Sequence, residues 1–187
     1  MLIDTTKNQE QNSSIVLQTI NPRPIAWIVT QNRDKIINIA PYSLFTPLSF
    51  DPISLIISFR PKEDKDIKDT LKNIRQNGKC TICMVNKSDQ TVMHQTSKEL
   101  LYNVSEALEF NIKTEKIVKD YPPIISSSSI AYFCDFDKEI ELKDNSTIPV
   151  ILNVKEIFID DTIVQKDKDE IKIEFNGVGH IVGDRYI

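Results

Sequence analysis

A chain of 187 residues, 40% of them hydrophobic and 27% charged, is long enough to bury the core of a single domain spanning 1–187, and no internal repeat or Pro/Gly-rich linker divides it. Lys plus Arg at 23 against Asp plus Glu at 27 gives a formal net charge of −4, without the basic excess of a nucleic-acid footprint. The start, MLIDTTKNQEQNSS, has no basic stretch leading into an apolar run, and no window reaches ~18 uninterrupted apolar residues. Three cysteines do not make a disulfide framework. The expectation is a cytoplasmic protein with neither nucleic-acid nor membrane partners.

In chain order, RPIAWIVT (23–30) and IINIA (36–40) are apolar and β-branched on either side of the turn-like QNRDK, and predict a hairpin. PYSLFTPLSFDP (41–52) is punctuated by three prolines and gives way to ISLIISF (53–59), a continuous apolar run that suits a strand buried on both faces. Ile67, Leu71 and Ile74 then recur at helical spacing, with Asp66 as N-cap and Gly78 just past the end. CTICMV (80–85) returns to strand character. Residues 88–119 read as short helices and loops, and YPPIISSSS (121–129) as a connector. Three further strands are expected at IAYFCDF from Ile130, VILNVKEIFI from Val150 and IKIEF from Ile171. Strands in clusters rather than in alternation with helices predict a mainly β protein, an antiparallel sheet or small barrel. The charged pieces KEDKDIKD (62–69) and QKDKDE (165–170) read as solvated turns.

Several motifs dissolve on inspection. GVGHIVG (177–183) has the spacing G-x-G-x-x-x-G, with Val182 where a dinucleotide loop needs its third glycine. Cys80 and Cys83 form a C-x-x-C, but an offset of three in a strand sends the two thiols to opposite faces, as buried structural residues. His94 and His180 lie far apart in sequence and lack a partner motif, so no metal site and no nucleophilic dyad is expected. The start of the 66–78 helix is more informative. Lys68 and Thr70 sit in its first turn, where free N–H groups and the helix dipole favour an anion. That lysine is either a solvated side chain or half of a phosphate site, to which Arg60 could add a bidentate contact.

Taken in order, NPRPIAWIVT (21–30), NIAPYSLF (38–45), DPISLIISFRP (51–61), KDTLKNI (68–74) and GDRY (183–186) resemble the flavin reductase-like family of FMN-binding split barrels, which includes the flavoredoxins. The resemblance covers roughly residues 15 to 187. It implies a six-stranded antiparallel Greek-key split β-barrel with a few helices, a homodimer, and one FMN per subunit near the interface. It also implies that backbone groups of Ala40, Tyr42 and Ser43 meet the polar edge of the isoalloxazine, that Asn21 and Trp27 lie by the ring, and that Lys68, Thr70 and Arg60 hold the phosphate. Asn38, Pro41, Thr46 and Asp69, within or beside the same motifs, are assigned to the cofactor site as well. Where many relatives carry an Arg, this sequence has His180, a group able to alter cofactor preference or flavin potential.

The activity implied is an NAD(P)H-dependent flavin reductase in which NADH or NADPH gives a hydride to flavin N5 and electrons pass to a small-molecule or protein acceptor. The flavin carries the chemistry, so no catalytic side chain is expected. Two alternatives stay open: a flavoredoxin-like electron carrier that uses no nicotinamide, and a non-enzymatic module that binds FMN.

Overall fold

The computed structural model describes residues 1–64, 66–143, 146–167 and 170–187. It opens with helix α1 (Gln9–Thr19), whose only buried residue is Asn12. Having no apolar stripe, α1 leaves no periodic signal to read. The expected hairpin follows as β1 (Ala26–Gln31) and β2 (Ile37–Tyr42). Next come β3 (Phe45–Phe50), β4 (Ile53–Phe59), helix α2 (Asp69–Asn77) and β5 (Lys79–Met84). Short helices α3 (Gln90–Gln95) and α4 (Glu106–Glu109) occupy the polar middle. Strands β6 (Ile130–Glu139) and β7 (Ile148–Ile159) complete one antiparallel sheet in the order β2-β1-β5-β6-β7-β4-β3.

The strand count of the expected six-stranded split barrel is corrected: the sheet has seven strands, and its end strands β2 and β3 are not hydrogen-bonded to each other. The additional strand is β3, inside the proline-punctuated segment 41–52, where no strand was expected. Pro47 has no N–H for an inner ladder, and an edge strand is where such a residue is tolerated. The sheet curls instead of closing. Tyr42 at the end of β2 meets Phe59 at the end of β4, with ring centroids 4.7 Å apart.

Both faces of the sheet are covered, which explains why its strands read as apolar runs rather than as alternation. On β1, Trp27 and Val29 join one core with Met93, Ala107 and Phe133, while Ala26 and Ile28 join the other with Leu71, Ile74 and Val150. Cys83 falls in the first core and Cys80 in the second, so the two thiols do face opposite ways. Burial pushes the Cys83 thiol up to about 12.

Helix α2 lays Leu71 and Ile74 on the inner core, but it starts later than expected. Lys68, not Asp66, is its N-cap residue and supplies no side-chain cap; Gly78 ends it in the left-handed region at φ 69°. Ile67 therefore lies outside the helix. Arg75 anchors the far end with bonds of 2.6 and 2.8 Å to the Glu139 carboxylate. On the opposite face α4 is tied to the sheet edge. Ser105 Oγ donates to Ile37 O at 2.7 Å, and the Glu106 carboxylate accepts from Ile39 N at 3.0 Å, so two side chains satisfy outward-facing backbone groups of β2.

Two further expectations change. Glu170–Ile173 pairs only with Val164–Asp167, as a ribbon separate from the main sheet. Within KEDKDIKD, Lys62 and Asp69 form a half-buried ion pair rather than a solvated turn; Lys65 of that piece, and Lys168 and Asp169 of QKDKDE, lie outside the described residues. Gly179–His180 pairs with Arg23–Pro24, which brings the C-terminal segment against the start of the sheet. No helix among the described residues is long and apolar enough to cross a membrane.

Candidate functional site

Three clefts meet at the end of β2, and Pro41 and Tyr42 line all of them. The first, about 470 Å³, lies between β2 and the start of α2 and is lined by Asn38, Ala40, Lys68, Asp69, Thr70 and Glu106 among others. The second, about 830 Å³, adds Arg23, Ser43, Arg60, Lys68 and His180. The third, about 500 Å³, is walled by Ile25, Ser43, Met93, His94, His180 and Tyr186.

One end of this region is built for an anion. The first helical hydrogen bond of α2 runs from Lys72 N to Lys68 O at 3.0 Å, so among the described residues the N–H groups of Asp69, Thr70 and Leu71 find no carbonyl one turn back. Lys68 Nζ already holds an anionic group there, the Glu99 carboxylate. Lys62 Nζ sits 2.9 Å from Asp69 Oδ1; burial pulls the Lys62 pKa down, but the bond to Asp69 and the surrounding acids leave it raised. Arg60, exposed at the mouth, lines the second cleft together with Lys68.

Beneath the first cleft lies a buried polar floor. Asn38 Nδ2 donates to Thr70 Oγ1 at 2.8 Å, Asn73 Nδ2 to Thr30 Oγ1 at 3.0 Å, and Tyr102 Oη to Asn73 Oδ1 at 2.8 Å. The Tyr42 hydroxyl is hydrogen-bonded to Thr70, and its burial pushes its pKa well above the ordinary tyrosine value. Glu106 is raised likewise, because burial outweighs the stabilising bond from Ile39 N.

The structure brings Asn38, Ala40, Pro41, Tyr42, Ser43, Arg60, Lys68, Asp69 and Thr70 around the clefts. It changes the part that two of them can play. Thr70 is 1% exposed with its hydroxyl taken by Asn38 and Tyr42, and the Asp69 carboxylate is occupied by Lys62, so both face an anion through backbone N–H alone. Three expected residues line none of the three clefts. Trp27 is fully buried in the core it shares with Met93 and Phe133, its Nε1 donating to Thr96 Oγ1 at 2.9 Å, so it supports the first cleft from behind rather than facing a ligand. Asn21 is exposed and donates to Gln18 O. Thr46 is exposed on edge strand β3.

Sequence reasoning missed Arg23 and did not foresee what the two histidines contact. Arg23, 7% exposed, donates to Ile20 O at 2.9 Å and to Ile181 O at 3.1 Å, and its Nη2 lies 3.0 Å from His180 Nδ1. His180 Nε2 lies 2.8 Å from Gly183 O, which only accepts, so Nε2 carries the proton. Nδ1 is then the acceptor for Arg23, with Ser43 Oγ also 3.0 Å away. The two histidines are not isolated: His94 Nδ1 is 2.9 Å from the Tyr186 hydroxyl, and the rings of His180 and Tyr186 lie 5.3 Å apart. An arginine flanked by Pro22 and Pro24 ahead of an apolar strand was the available signal for Arg23. Nothing local marks the histidines. Among the described residues, no three His, Cys, Asp or Glu side chains are grouped to hold a metal ion.

A curled antiparallel sheet with these clefts at a strand end places the chain in the split-barrel class. Its backbone superposes with a TM-score of 0.87 on nitrilotriacetate monooxygenase component B from Bacillus cereus (19% identity, 100% of this chain and 94% of that one) and of 0.86 on the 2-nitrobenzoate 2-nitroreductase of Pseudomonas fluorescens (22%, 100% and 90%). A sequence relative, an uncharacterized protein of Aquifex aeolicus, is 29% identical over 176 residues, 92% of this chain and 87% of its own. The flavin reductase like domain model matches residues 19–168, and the chain belongs to that family.

Proposed function

We propose that this protein is an FMN-dependent oxidoreductase that takes a hydride from NADH or NADPH and passes electrons to a soluble acceptor. The observation that carries this reading is the convergence, on adjoining clefts, of an unpaired, lysine-flanked helix start with the strand end Ala40–Ser43. A flat ring with a phosphate tail fits that combination. The anionic tail matches the N–H groups of Asp69, Thr70 and Leu71, the Lys68 ammonium and the Arg60 guanidinium. The ring matches the segment around Pro41 and Tyr42, where β2 is an edge strand and turns one side of its backbone away from β1.

The flavin, when bound, supplies the hydride and electron chemistry. The protein's part is to anchor and orient it. Partly buried Tyr42 and buried Glu106 are both shifted up by desolvation, so each stays neutral to a higher pH than an exposed group of its kind. The third cleft, with His94, Tyr186 and Ser43 along its wall, is the space we assign to the second substrate. We further take the protein to be a cytoplasmic homodimer. The exposed edge strand β3, where Phe50 is 83% exposed beside Leu48, supports a pairing surface.

The decisive experiment is an absorbance spectrum of the purified protein, followed by anaerobic NADH and then NADPH. A bound flavin that bleaches quickly with either supports the reductase reading. A flavin reduced only by a protein donor makes the chain an electron carrier, and failure to take up added FMN rejects the cofactor assignment.

A further inference from the structure

A fourth cleft, of about 750 Å³, opens at the other end of β1 and α2 from the site above, and its lining carries Lys35, Lys79, Lys116 and Lys119 against a single acid, Asp120. In a chain with a formal net charge of −4, this is a local reversal of sign. The floor is built rather than loose. Asn32, 4% exposed, takes Asp34 N and Ile36 N on its side-chain oxygen, each at 2.9 Å, and fixes the turn that carries Lys35 at φ 65°. Tyr121, also buried, donates to Asp135 Oδ1 at 2.9 Å.

Two of the four lysines belong to that floor. Lys79 Nζ is 2.9 Å from Asp135 Oδ1 and 4.1 Å from the centre of the Tyr121 ring, and Lys116 Nζ donates to Tyr121 O. The other two differ: among the described residues neither Lys35 nor Lys119 has an ion-pair partner. Like charges gathered at one concave mouth repel each other unless an anion sits between them. Helix α2 ends here too, but its carbonyl end is satisfied by any one nearby cation and does not call for four.

We propose that this cleft binds a small phosphorylated polyanion, with Lys35 and Lys119 as the ligand's cationic clamp and the side-chain amides of Gln31 and Asn77 beside it as polar neighbours. Its lysines line a concave cleft rather than a flat face, which suits a small molecule rather than a macromolecular surface. The site is separate from the flavin cleft and stands whether or not the cofactor assignment does.

The test is calorimetric titration of the full-length protein, with FMN added in excess, using inorganic pyrophosphate as the probe. Saturable binding near one per chain is expected, weakened at least about tenfold in the Lys35→Ala/Lys119→Ala double variant and unchanged in Lys68→Ala. Both double-variant positions are exposed, so its fold should survive, and an unchanged circular dichroism melt would verify this. Absence of saturable binding, equal affinity in the double variant, or loss in Lys68→Ala instead would each overturn the proposal. The last result would place pyrophosphate at the α2 start, a finding about the first site and not this one.

Discussion

Arg23 and His180, 157 residues apart in sequence, meet with Nη2 3.0 Å from Nδ1, and this contact ties three parts of the chain together. The same guanidinium reaches Ile20 O after α1 and Ile181 O in the C-terminal segment. Among the described residues its buried Nε has no partner, so the bonds made at the two terminal nitrogens are what offset the cost of burying it. Replacing His180 with arginine would remove the acceptor and set two permanent cations against each other. We expect His180→Arg to lose about 1–3 kcal/mol of stability in urea denaturation, with earlier proteolysis of the C-terminal segment. An unchanged midpoint would show that the ring is not the partner Arg23 requires.

The phosphate assignment separates two residues that sit two positions apart. Lys68 lines the cleft with its ammonium paired to the exposed Glu99 carboxylate, a partner that an incoming phosphate can replace, whereas the buried Thr70 hydroxyl is committed to Asn38 and Tyr42. Lys68→Ala should therefore weaken FMN binding by about 1.5–3 kcal/mol with little change in stability. Thr70→Ala should lower stability by about 1–2 kcal/mol, because Asn38 Nδ2 loses its closer acceptor. Fluorescence titration with FMN and urea melts on both variants distinguish the roles. If Thr70→Ala cost affinity and not stability, its hydroxyl would have to face the ligand.

How far the sequence could reveal this arrangement depended on the range of each interaction. The β1–β2 hairpin and the end of α2 at Gly78 are local events, written in a few adjacent residues, and they were legible. Strand β3 was hidden because Pro47 reads as a breaker until one knows that the strand lies at an edge. The ribbon at 164–173 looked like sheet material because strand propensity says nothing about the partner. Within the site, NIAPYS and KDT were found by resemblance, yet the burial of Trp27 and the engagement of the Thr70 hydroxyl depend on what packs against them. The contact between Arg23 and His180 exists only once β1 and the C-terminal segment are docked.

Trp27 gives a direct optical check on its placement. A fully buried indole donating to Thr96 Oγ1 should emit at short wavelength and resist acrylamide quenching, in the flavin-free and the FMN-loaded protein alike. Trp27→Phe should cost about 1–3 kcal/mol through lost packing and a missing donor to Thr96. An indole that acrylamide reaches in the flavin-free protein, and not once FMN is added, would mean that it faces the ligand after all.

Glu106 supplies the pH test. Its carboxyl is buried and raised above the ordinary value of 4.5, with burial the largest cause. Between that ordinary value and the raised one, the folded protein binds more protons at this group than the unfolded chain does, so the group's contribution to stability falls as pH rises through that window and then levels off. Glu106→Gln keeps an oxygen acceptor for Ile39 N but cannot ionise. The stability of Glu106→Gln relative to the unaltered protein should therefore increase from pH 4 upward and reach a plateau above the raised value. Urea denaturation at half-unit pH steps would measure it. Parallel stability curves for the two proteins would show that Glu106 titrates as an exposed carboxylate does, and that its bond to β2 lies in water rather than in the core.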